Sequence, residues 1–204
     1  MKNIASGMRL PWLNSLIIPL LLAAMALGCG CASVPKTSKL VTRLAGPPPG
    51  KALVNFHRPS SYGGSIGVPI FDLEGKMLVD MRGASLYQMV CEPGEKVFVS
   101  WAEHVTVIKA ELAPDKTYDV MVDVAPGWVQ ANIYLTPLHK GDGRRARLAD
   151  FERREKWTIA VNPDSPRVVE YQASNRERIA QIKKDFLGGE KSDRVKVLAQ
   201  DDCR

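Results

Sequence analysis

Histidine, serine and acidic side chains are the groups best able to do chemistry in this chain of 204 residues. The three histidines are scattered: His57 ends an apolar run, His104 lies in a short polar turn, and His139 follows the last apolar run. No H-E-x-x-H, G-x-S-x-G or Cys-His motif surrounds them, and metal ligands usually lie closer together in sequence. The sequence therefore predicts no catalytic residue, no metal ligand and no cofactor-binding residue.

One enzymatic alternative stays open around His57. Residues 60–62 (Ser-Ser-Tyr) follow it closely, so a hydrolase site built on this loop from His57 and Ser60 is a second hypothesis. A fold that brings His57, an acidic group and a serine hydroxyl into one concave pocket would favour it. Histidines in such positions are more often structural, and the non-enzymatic reading is the one we prefer.

The strongest pattern lies at the amino terminus. Lys2 and Arg9 precede an apolar run over residues 16–27, which matches the charged start and the roughly 7–15 apolar residues of a secretory signal peptide. A membrane-spanning helix needs about 20 apolar residues, and Pro19 would interrupt one here. The run ends in small residues before Cys29 and Cys31, which resembles the lipobox of bacterial lipoproteins.

The resemblance to lipoproteins implies that the chain is cut before an acylated cysteine and is held in a lipid bilayer. We assign residues 1–28 to the signal peptide and the lipid to Cys29, because the preceding Ala-Leu-Gly keeps an apolar residue where the lipobox has one. Cys31 is the alternative lipidation site. An Asp directly after the acylated cysteine resembles an inner-membrane retention signal, and neither Cys29 nor Cys31 is followed by Asp. The expected location is therefore the cell envelope, at the outer membrane and facing the periplasm.

Two further cysteines, Cys91 and Cys203, follow the lipobox. Thiols tend to pair in an oxidising compartment. A Cys91–Cys203 disulfide would close a long loop and could stabilise the fold by ~3–5 kcal/mol. The alternative is two separate thiols, one in a strand and one on a frayed terminus. Both interpretations stay open at this point.

The rest of the chain divides by composition. Residues 29–46 are polar and aperiodic, and a triple proline follows them, so we expect a flexible tether there. Over residues 47–138, short apolar runs rich in β-branched and aromatic residues alternate with turn signals every 8–12 positions. This pattern predicts an all-β fold, namely a small antiparallel β-sandwich of about eight strands.

Six segments of this region also occur in a recognisable order. They are residues 49–51 (Pro-Gly-Lys), 56–61 (Phe-His-Arg-Pro-Ser-Ser), 72–76, 92–96 (Glu-Pro-Gly-Glu-Lys), 112–118 and 127–128 (Gly-Trp). In this order and spacing they resemble the envelope lipoproteins of the domain of unknown function 2846 family (DUF2846). The resemblance covers residues 47–138 and implies a compact β domain on a lipid anchor. It implies no activity, because none is assigned to the family.

The last third of the chain is a charged tail. Residues 140–204 hold 16 lysines and arginines against 12 acidic residues, interleaved in sequence, so the net field is weak. Within this tail, residues 139–204, one amphipathic helix is predicted over 175–187. A capping box at residues 174–177 would begin it, and Gly188 would end it. Its apolar face comprises Ile179, Ile182, Phe186 and Leu187. Residues 194–198 (Arg-Val-Lys-Val-Leu) are a candidate edge strand.

These observations predict a non-enzymatic envelope module that scaffolds or binds a partner. The partners expected are a lipid bilayer, through the acylated cysteine, and an envelope protein or cell-wall polymer. Trp101, Trp128 and Tyr62 could form a sugar-stacking surface, although aromatic residues on strands more often belong to a core. No nucleic-acid partner is expected, because export separates the chain from nucleic acid and acidic residues offset the basic ones.

Overall fold

The structure, a computed structural model, describes residues 37–204. Residues 1–36 lie outside the described part, and with them the predicted signal peptide, Cys29 and Cys31. The strands are β1 Ser38–Thr42, β2 Ala52–Arg58, β3 Val68–Phe71, β4 Met77–Met81, β5 Ser85–Cys91, β6 Gly94–Trp101, β7 Val105–Leu112, β8 Thr117–Ala125, β9 Asn132–Pro137, β10 Trp157–Val161 and β11 Lys196–Leu198. The helices are α1 Arg144–Arg154, α2 Pro166–Ser174 and α3 Arg176–Leu187, and a 3-10 turn spans Ser192–Arg194.

The strands form two sheets. Sheet A has the order β1-β10-β5-β2-β8-β9, and sheet B has the order β11-β7-β6-β3-β4. The sequence predicted an all-β antiparallel sandwich, and the coarser part of this prediction, a mostly β fold, is confirmed. The finer prediction needs correction, because there are eleven strands in the described residues and both sheets are mixed. Strand β2 pairs in parallel with β8, β10 with β5, and β11 with β7.

A buried apolar core fills the space between the sheets. Alternate residues of β2 and β8 point into it, among them Val54, Phe56 and Val120, and residues of β6 and β7 meet them from sheet B. The Phe56 ring packs edge-on against Phe98 with centroids 5.1 Å apart, which is a favourable aromatic geometry. Period-two alternation along each strand is what places these side chains on one face.

Strand β2 is buried along its whole length because both faces of sheet A are covered at that point. Its outward-facing residues are Leu53, Asn55 and His57. Helix α1 covers part of this outer face with its buried Leu148 and Phe151. A strand with polar residues on a covered face must satisfy them by hydrogen bonds, because an unpaired buried polar group costs free energy.

Helices α2 and α3 cover the outer face of sheet B. Ile179, Ile182 and Phe186 of α3 are buried against Val99 and Trp101 of β6. Helix α3 occupies the predicted segment, but two details differ. The Ser174 hydroxyl bonds to the Tyr171 carbonyl and ends α2, so no capping box forms, and Leu187 is partly exposed.

Two regions are more ordered than the sequence suggested. Residues Ser38–Thr42, inside the expected tether, form β1 and pair antiparallel with β10. The expected tail supplies β10, α1 and α2 in addition to the predicted helix, and the candidate edge strand over residues 194–198 forms β11 at the edge of sheet B. Each of these strands needs a partner more than 70 residues away in sequence, which local patterns do not reveal. Within residues 37–204 no helix has the length and hydropathy that a bilayer span requires.

Candidate functional site

Three chemically capable side chains meet on the covered outer face of sheet A. His57 lies near the end of β2, Asp119 lies on the neighbouring parallel strand β8, and Glu152 lies in the last turn of α1. His57 and Asp119 point to the same side because Asn55, two residues before His57, is in register with Asp119. All three side chains are buried.

The distances within this His–Asp–Glu cluster are short. His57 Nε2 lies 2.9 Å from Asp119 Oδ1 and 3.4 Å from Glu152 Oε1. Asn55 Nδ2 also donates to Asp119 Oδ1, at 3.2 Å. One ligand atom from each of the three residues lies within 4.8 Å of the others, so the cluster has a donor set that a divalent metal ion could use.

Three arginines surround the same two carboxylates. Arg204 places Nη2 2.6 Å from Asp119 Oδ1 and Nε 2.7 Å from Asp119 Oδ2, and it also pairs with Glu152. Arg145 Nη1 lies 2.9 Å from Asp119 Oδ2, and Arg43 Nη2 lies 2.7 Å from Glu152 Oε2. Two negative charges are thus matched by three guanidinium groups, which bind carboxylates through fork-shaped, charge-assisted hydrogen bonds.

The pKa shifts agree with this pairing. Burial alone would raise the pKa of Asp119, but the hydrogen bonds from His57 and Arg204 outweigh it and hold the pKa well below its usual range. Burial tends to lower the pKa of Arg204, and its bonds to Asp119 and Glu152 more than reverse this. Both groups are therefore charged at neutral pH and stabilise each other.

The surroundings do not suit a metal ion. Every carboxylate oxygen of Asp119 and Glu152 already accepts from a guanidinium, and a dication would add two charges to a site that is already rich in positive charge. Metal sites of this class are instead surrounded by groups that orient the ligands and offset the metal charge. We therefore interpret the cluster as an ionic latch: it ties α1, the residue that follows β1 and the end of the chain to sheet A.

His57 and Ser60, the two residues of the hydrolase hypothesis, have different partners in the structure. His57 is fully buried, and its Nδ1 has no hydrogen-bond partner within the described residues. The hydroxyl of Ser60 lies on the exposed surface, where it accepts a hydrogen bond from the amide of Tyr62. No hydrogen bond joins Ser60 to His57 among the described residues. An acidic group does meet His57, but without a serine and without access for a substrate.

The other two histidines are exposed and separate from the cluster. His139 Nδ1 lies 2.8 Å from Asp202 Oδ2, and this contact, together with Asp202 accepting from the Lys140 amide at 3.0 Å, fastens the last residues to the end of β9. His104 lies in the turn between β6 and β7. The described part of the chain therefore brings no two histidines together.

The cysteines retain the alternatives that the sequence left open. Cys91 and Cys203 are free thiols in the structure, each half-buried and packed against the core between the sheets. Burial raises the pKa of the Cys91 thiol, so it is protonated and weakly nucleophilic at neutral pH. Their pairing under oxidising conditions stays a prediction.

A cleft of about 640 Å³ opens between the sheets at the edge formed by β5, β6 and the turn that joins β3 to β4. This volume is within the range of small-ligand sites. Charged residues contribute to its lining, among them Asp72, Lys76 and Lys96. Its apolar lining includes Met77, Leu78, Tyr87, Met89, Val97 and Phe98.

Two strand edges in this cleft lack partners among the described residues. Strand β10 pairs with β5 at a single register position, Ile159 with Tyr87, so residues 88–91 of β5 form no strand pair on that side within the described residues. Strand β3 pairs with β6 at a single register position, Phe71 with Val99, so residues 95–98 of β6 form no strand pair with β3. Unpaired strand edges are ready templates for another strand.

The aromatic residues considered for sugar stacking do not form one surface. Trp101 is buried under α3 and stacks on Phe71 with centroids 4.8 Å apart. Trp128 and Tyr62 are exposed instead, on two loops at one end of the sandwich. The buried position of Trp101 follows the usual preference of strand aromatics for the core.

No family model matches this chain, and comparison with curated proteins and with solved structures returns no significant match. The site must therefore be judged from its own geometry. Asp119, Glu152 and Arg204 were not predicted as site residues, because they lie far from His57 in sequence. A usable signal did exist in β2, where Asn55 and His57 alternate with apolar residues in a strand that is otherwise typical of a core.

Proposed function

We propose that this chain is a membrane-anchored lipoprotein of the cell envelope whose β-sandwich is a non-enzymatic binding module. Its anchor is an acylated cysteine, Cys29 or the alternative Cys31, at the outer membrane. Its cleft between β5 and β6 binds an extended peptide segment of an envelope partner. The resemblance of residues 47–138 to the DUF2846 lipoproteins supports the anchor, and the open strand edges support the binding mode.

The observation that carries the binding function is the pair of unpartnered edges on either side of the cleft. A peptide that pairs with residues 88–91 would gain backbone hydrogen bonds over about 13 Å of strand. Alternate side chains of that peptide would point into the apolar lining formed by Met77, Met89 and Phe98. The two methionines are flexible and suit a surface that accommodates different side chains.

The burial of His57 and its separation from the Ser60 hydroxyl support a binding role over the hydrolase alternative. The ionic latch uses its carboxylates to hold arginines, and His57 is sealed beneath Phe151, with ring centroids 6.5 Å apart. Catalytic acids and bases must reach a substrate atom within hydrogen-bond distance. The cleft offers apolar contacts and strand edges, which are features of recognition.

The anchor is tested in the native host by palmitate labelling and membrane fractionation of the wild-type protein, Cys29→Ser and Cys31→Ser. We expect one substitution to abolish both the label and the membrane association, because only the acylated cysteine carries the lipid. Label on both variants, or a wild-type protein that is never labelled, would refute the lipoprotein proposal.

The binding mode is tested by placing a photo-crosslinking phenylalanine analogue at Val90, on the open edge of β5. The matched control is the same analogue at Val197 of β11. Val197 is also an exposed valine on a strand, but it lies outside the cleft. We expect position 90 alone to form an adduct with a defined segment of an envelope protein. A synthetic peptide of that segment should bind the purified full chain. Met89→Lys should raise its Kd at least about tenfold, because a loss of about 1.4 kcal/mol of binding free energy corresponds to a tenfold change.

Three outcomes contradict the proposed binding mode. Adducts with lipid alone would show that the cleft takes an acyl chain. Equal adducts from positions 90 and 197 would show non-specific contact. A peptide whose affinity is unchanged by Met89→Lys would bind elsewhere on the chain.

A further inference from the structure

Three apolar side chains are exposed together at one end of the sandwich. The loop between β8 and β9 exposes 98% of Trp128 and 88% of Val129, and the loop after β2 exposes 58% of Tyr62. Tyr62 and Val129 line one shallow depression with Gly63 and Ile66. A cluster of large apolar residues in water is unfavourable and marks a contact site. We call these three residues the loop-end patch.

The loop that carries Trp128 is held in place by Glu103. One carboxylate oxygen of Glu103 accepts from the Trp128 amide at 2.8 Å and lies 3.5 Å from the Val129 amide. Asn132 Nδ2 adds a bond to the Pro126 carbonyl at 3.3 Å. The exposed side chains are therefore presented by a fixed backbone, which reduces the entropy lost on binding.

The loop that carries Tyr62 is held by Arg58. Its buried guanidinium donates to four backbone carbonyls: those of Tyr62, Gly63 and Ile66 in the loop and that of Met81 at the end of β4. Burying a guanidinium is unfavourable because it loses its hydration, and these four hydrogen bonds offset that loss. The geometry therefore fixes both halves of the loop-end patch.

The described chain also begins beside this end of the domain. Thr37 Oγ1 donates to Asp80 Oδ2 at 3.2 Å. Asp80 in turn lies against Gly67, the last residue of the Tyr62 loop, where an added Cβ would come within 2.5 Å of Asp80 Oδ1. The chain that precedes Thr37 is therefore joined to the domain next to the loop-end patch.

The length of that preceding chain limits how far this end can be from an anchor. From Cys29 to Thr37 there are eight residue steps, which span at most about 28 Å even when fully extended. With the lipid of the proposed function on Cys29 or Cys31, the point where the chain enters the domain cannot leave the neighbourhood of the bilayer surface. A high local concentration then favours even weak contacts between the patch and the lipid.

We propose that the loop-end patch is a membrane-contact site, which inserts Trp128, Val129 and Tyr62 into the headgroup region of the bilayer that holds the lipid anchor. This inference rests on the lipid anchor of the proposed function. Trp and Tyr are the residues that favour the membrane–water interface, because their rings are apolar and carry one polar group. An aliphatic Val129 beside them suits lipid better than sugar.

Two charged side chains near the patch, Arg82 and Glu103, already have polar partners. Arg82 lies 3.2 Å from Asp80, and Glu103 is occupied by backbone amides. The contact therefore depends on apolar insertion, and it should persist when salt screens electrostatic attraction. The domain would then lie against the bilayer with a defined end, while the cleft between β5 and β6 remains available to a partner.

The test uses the lipidated full-length protein reconstituted into phosphatidylethanolamine–phosphatidylglycerol vesicles that contain brominated phosphatidylcholine. Bromine quenches only tryptophans that reach the lipid. We expect quenching of the tryptophan emission in the wild type, loss of that quenching in Trp128→Ser, and no change when 0.5 M salt is added, a roughly threefold to fourfold excess over physiological ionic strength. Trp157→Ser, which removes an exposed tryptophan of β10, is the matched control and should keep the quenching.

Each result is decisive for one of the two proposals. If the protein co-floats with vesicles but Trp128 is unquenched by bromolipid and open to acrylamide, the membrane-contact site is refuted and the anchor stands. Shielding of Trp128 by soluble cell-wall glycan instead of lipid would identify a sugar-stacking surface and also overturns the inference. If the native protein carries no palmitate and does not float, the lipid anchor itself fails. Circular dichroism of Trp128→Ser should match the wild type, because this side chain makes no core contact.

Discussion

The ionic latch allows a quantitative prediction for Asp119→Asn. The amide keeps the shape of the side chain but removes one of the two negative charges that face Arg43, Arg145 and Arg204. Breaking a buried ion pair on one side typically costs 3–5 kcal/mol, because it leaves an uncompensated charge. Arg204 and Arg145 retain some contact with water, which reduces that penalty. We therefore expect the free energy of unfolding to fall by about 3 kcal/mol.

The assay is urea unfolding of the purified protein at pH 7, followed by tryptophan fluorescence. With a slope of about 1–3 kcal/mol per molar urea, a loss of this size lowers the unfolding midpoint by about 1–3 M. The slope itself should not change, since the latch does not alter how much surface unfolding exposes.

Asp123→Asn is the matched control for this experiment. Asp123 lies on the same strand, β8, and is half-buried, but burial raises its pKa and no guanidinium hydrogen-bonds to it in the described residues. Its substitution should change the free energy of unfolding by less than about 0.5 kcal/mol. The reasoning is refuted if Asp119→Asn stays within that margin of the wild type, or if both substitutions cost the same.

Three further predictions concern pH, helix packing and the end of the chain. Folding lowers the pKa of Asp119, so its stabilising effect is present above about pH 4 and is lost as the pH falls towards the pKa of the folded state. The difference in the free energy of unfolding between the wild type and Asp119→Asn, measured by urea unfolding, should therefore narrow only below about pH 4. Phe186→Ala should cost about 3–5 kcal/mol because the ring is buried between α3 and sheet B, whereas Leu187→Ala, at the next and partly exposed position, should cost less than about 1 kcal/mol in thermal or urea unfolding; equal costs would contradict the packing. The Tyr118 hydroxyl accepts from the Ala113 amide and donates to the Gln200 carbonyl. Tyr118→Phe should therefore lower the free energy of unfolding by about 1–3 kcal/mol and speed amide hydrogen exchange at residues 199–204. Tyr134→Phe, at an exposed site, should have neither effect.

Local patterns carried much of the sheet structure. Strands β2 to β9 each contain a short apolar run bounded by turn signals, so their existence could be predicted from the sequence. The helix over residues 176–187 followed for the same reason, since Ile179, Ile182 and Phe186 recur at helical spacing. Strand β1 did not follow, because its five residues alternate too weakly and depend on pairing with β10.

The candidate site was beyond such patterns. His57 was singled out from the sequence, but nothing local indicates that Asp119 and Glu152 reach it across 62 and 95 residues, or that Arg204 closes the cluster. The open edges of β5 and β6 are likewise a property of where neighbouring strands diverge. The exposure of Trp128 could not be predicted either, because a tryptophan after a turn reads equally well as part of a core.

By itself the sequence determined the β-rich class of this protein, the position of one amphipathic helix and the lipobox-like segment that motivates the anchor. These features depend on periodicity and composition over a few residues, which physical chemistry links directly to local conformation. Only the tertiary structure decided the mixed sheets, the ordered tail, the ionic latch, the cleft and the loop-end patch. Each of these depends on which distant segments become neighbours, and that choice is made by the packing of the whole chain.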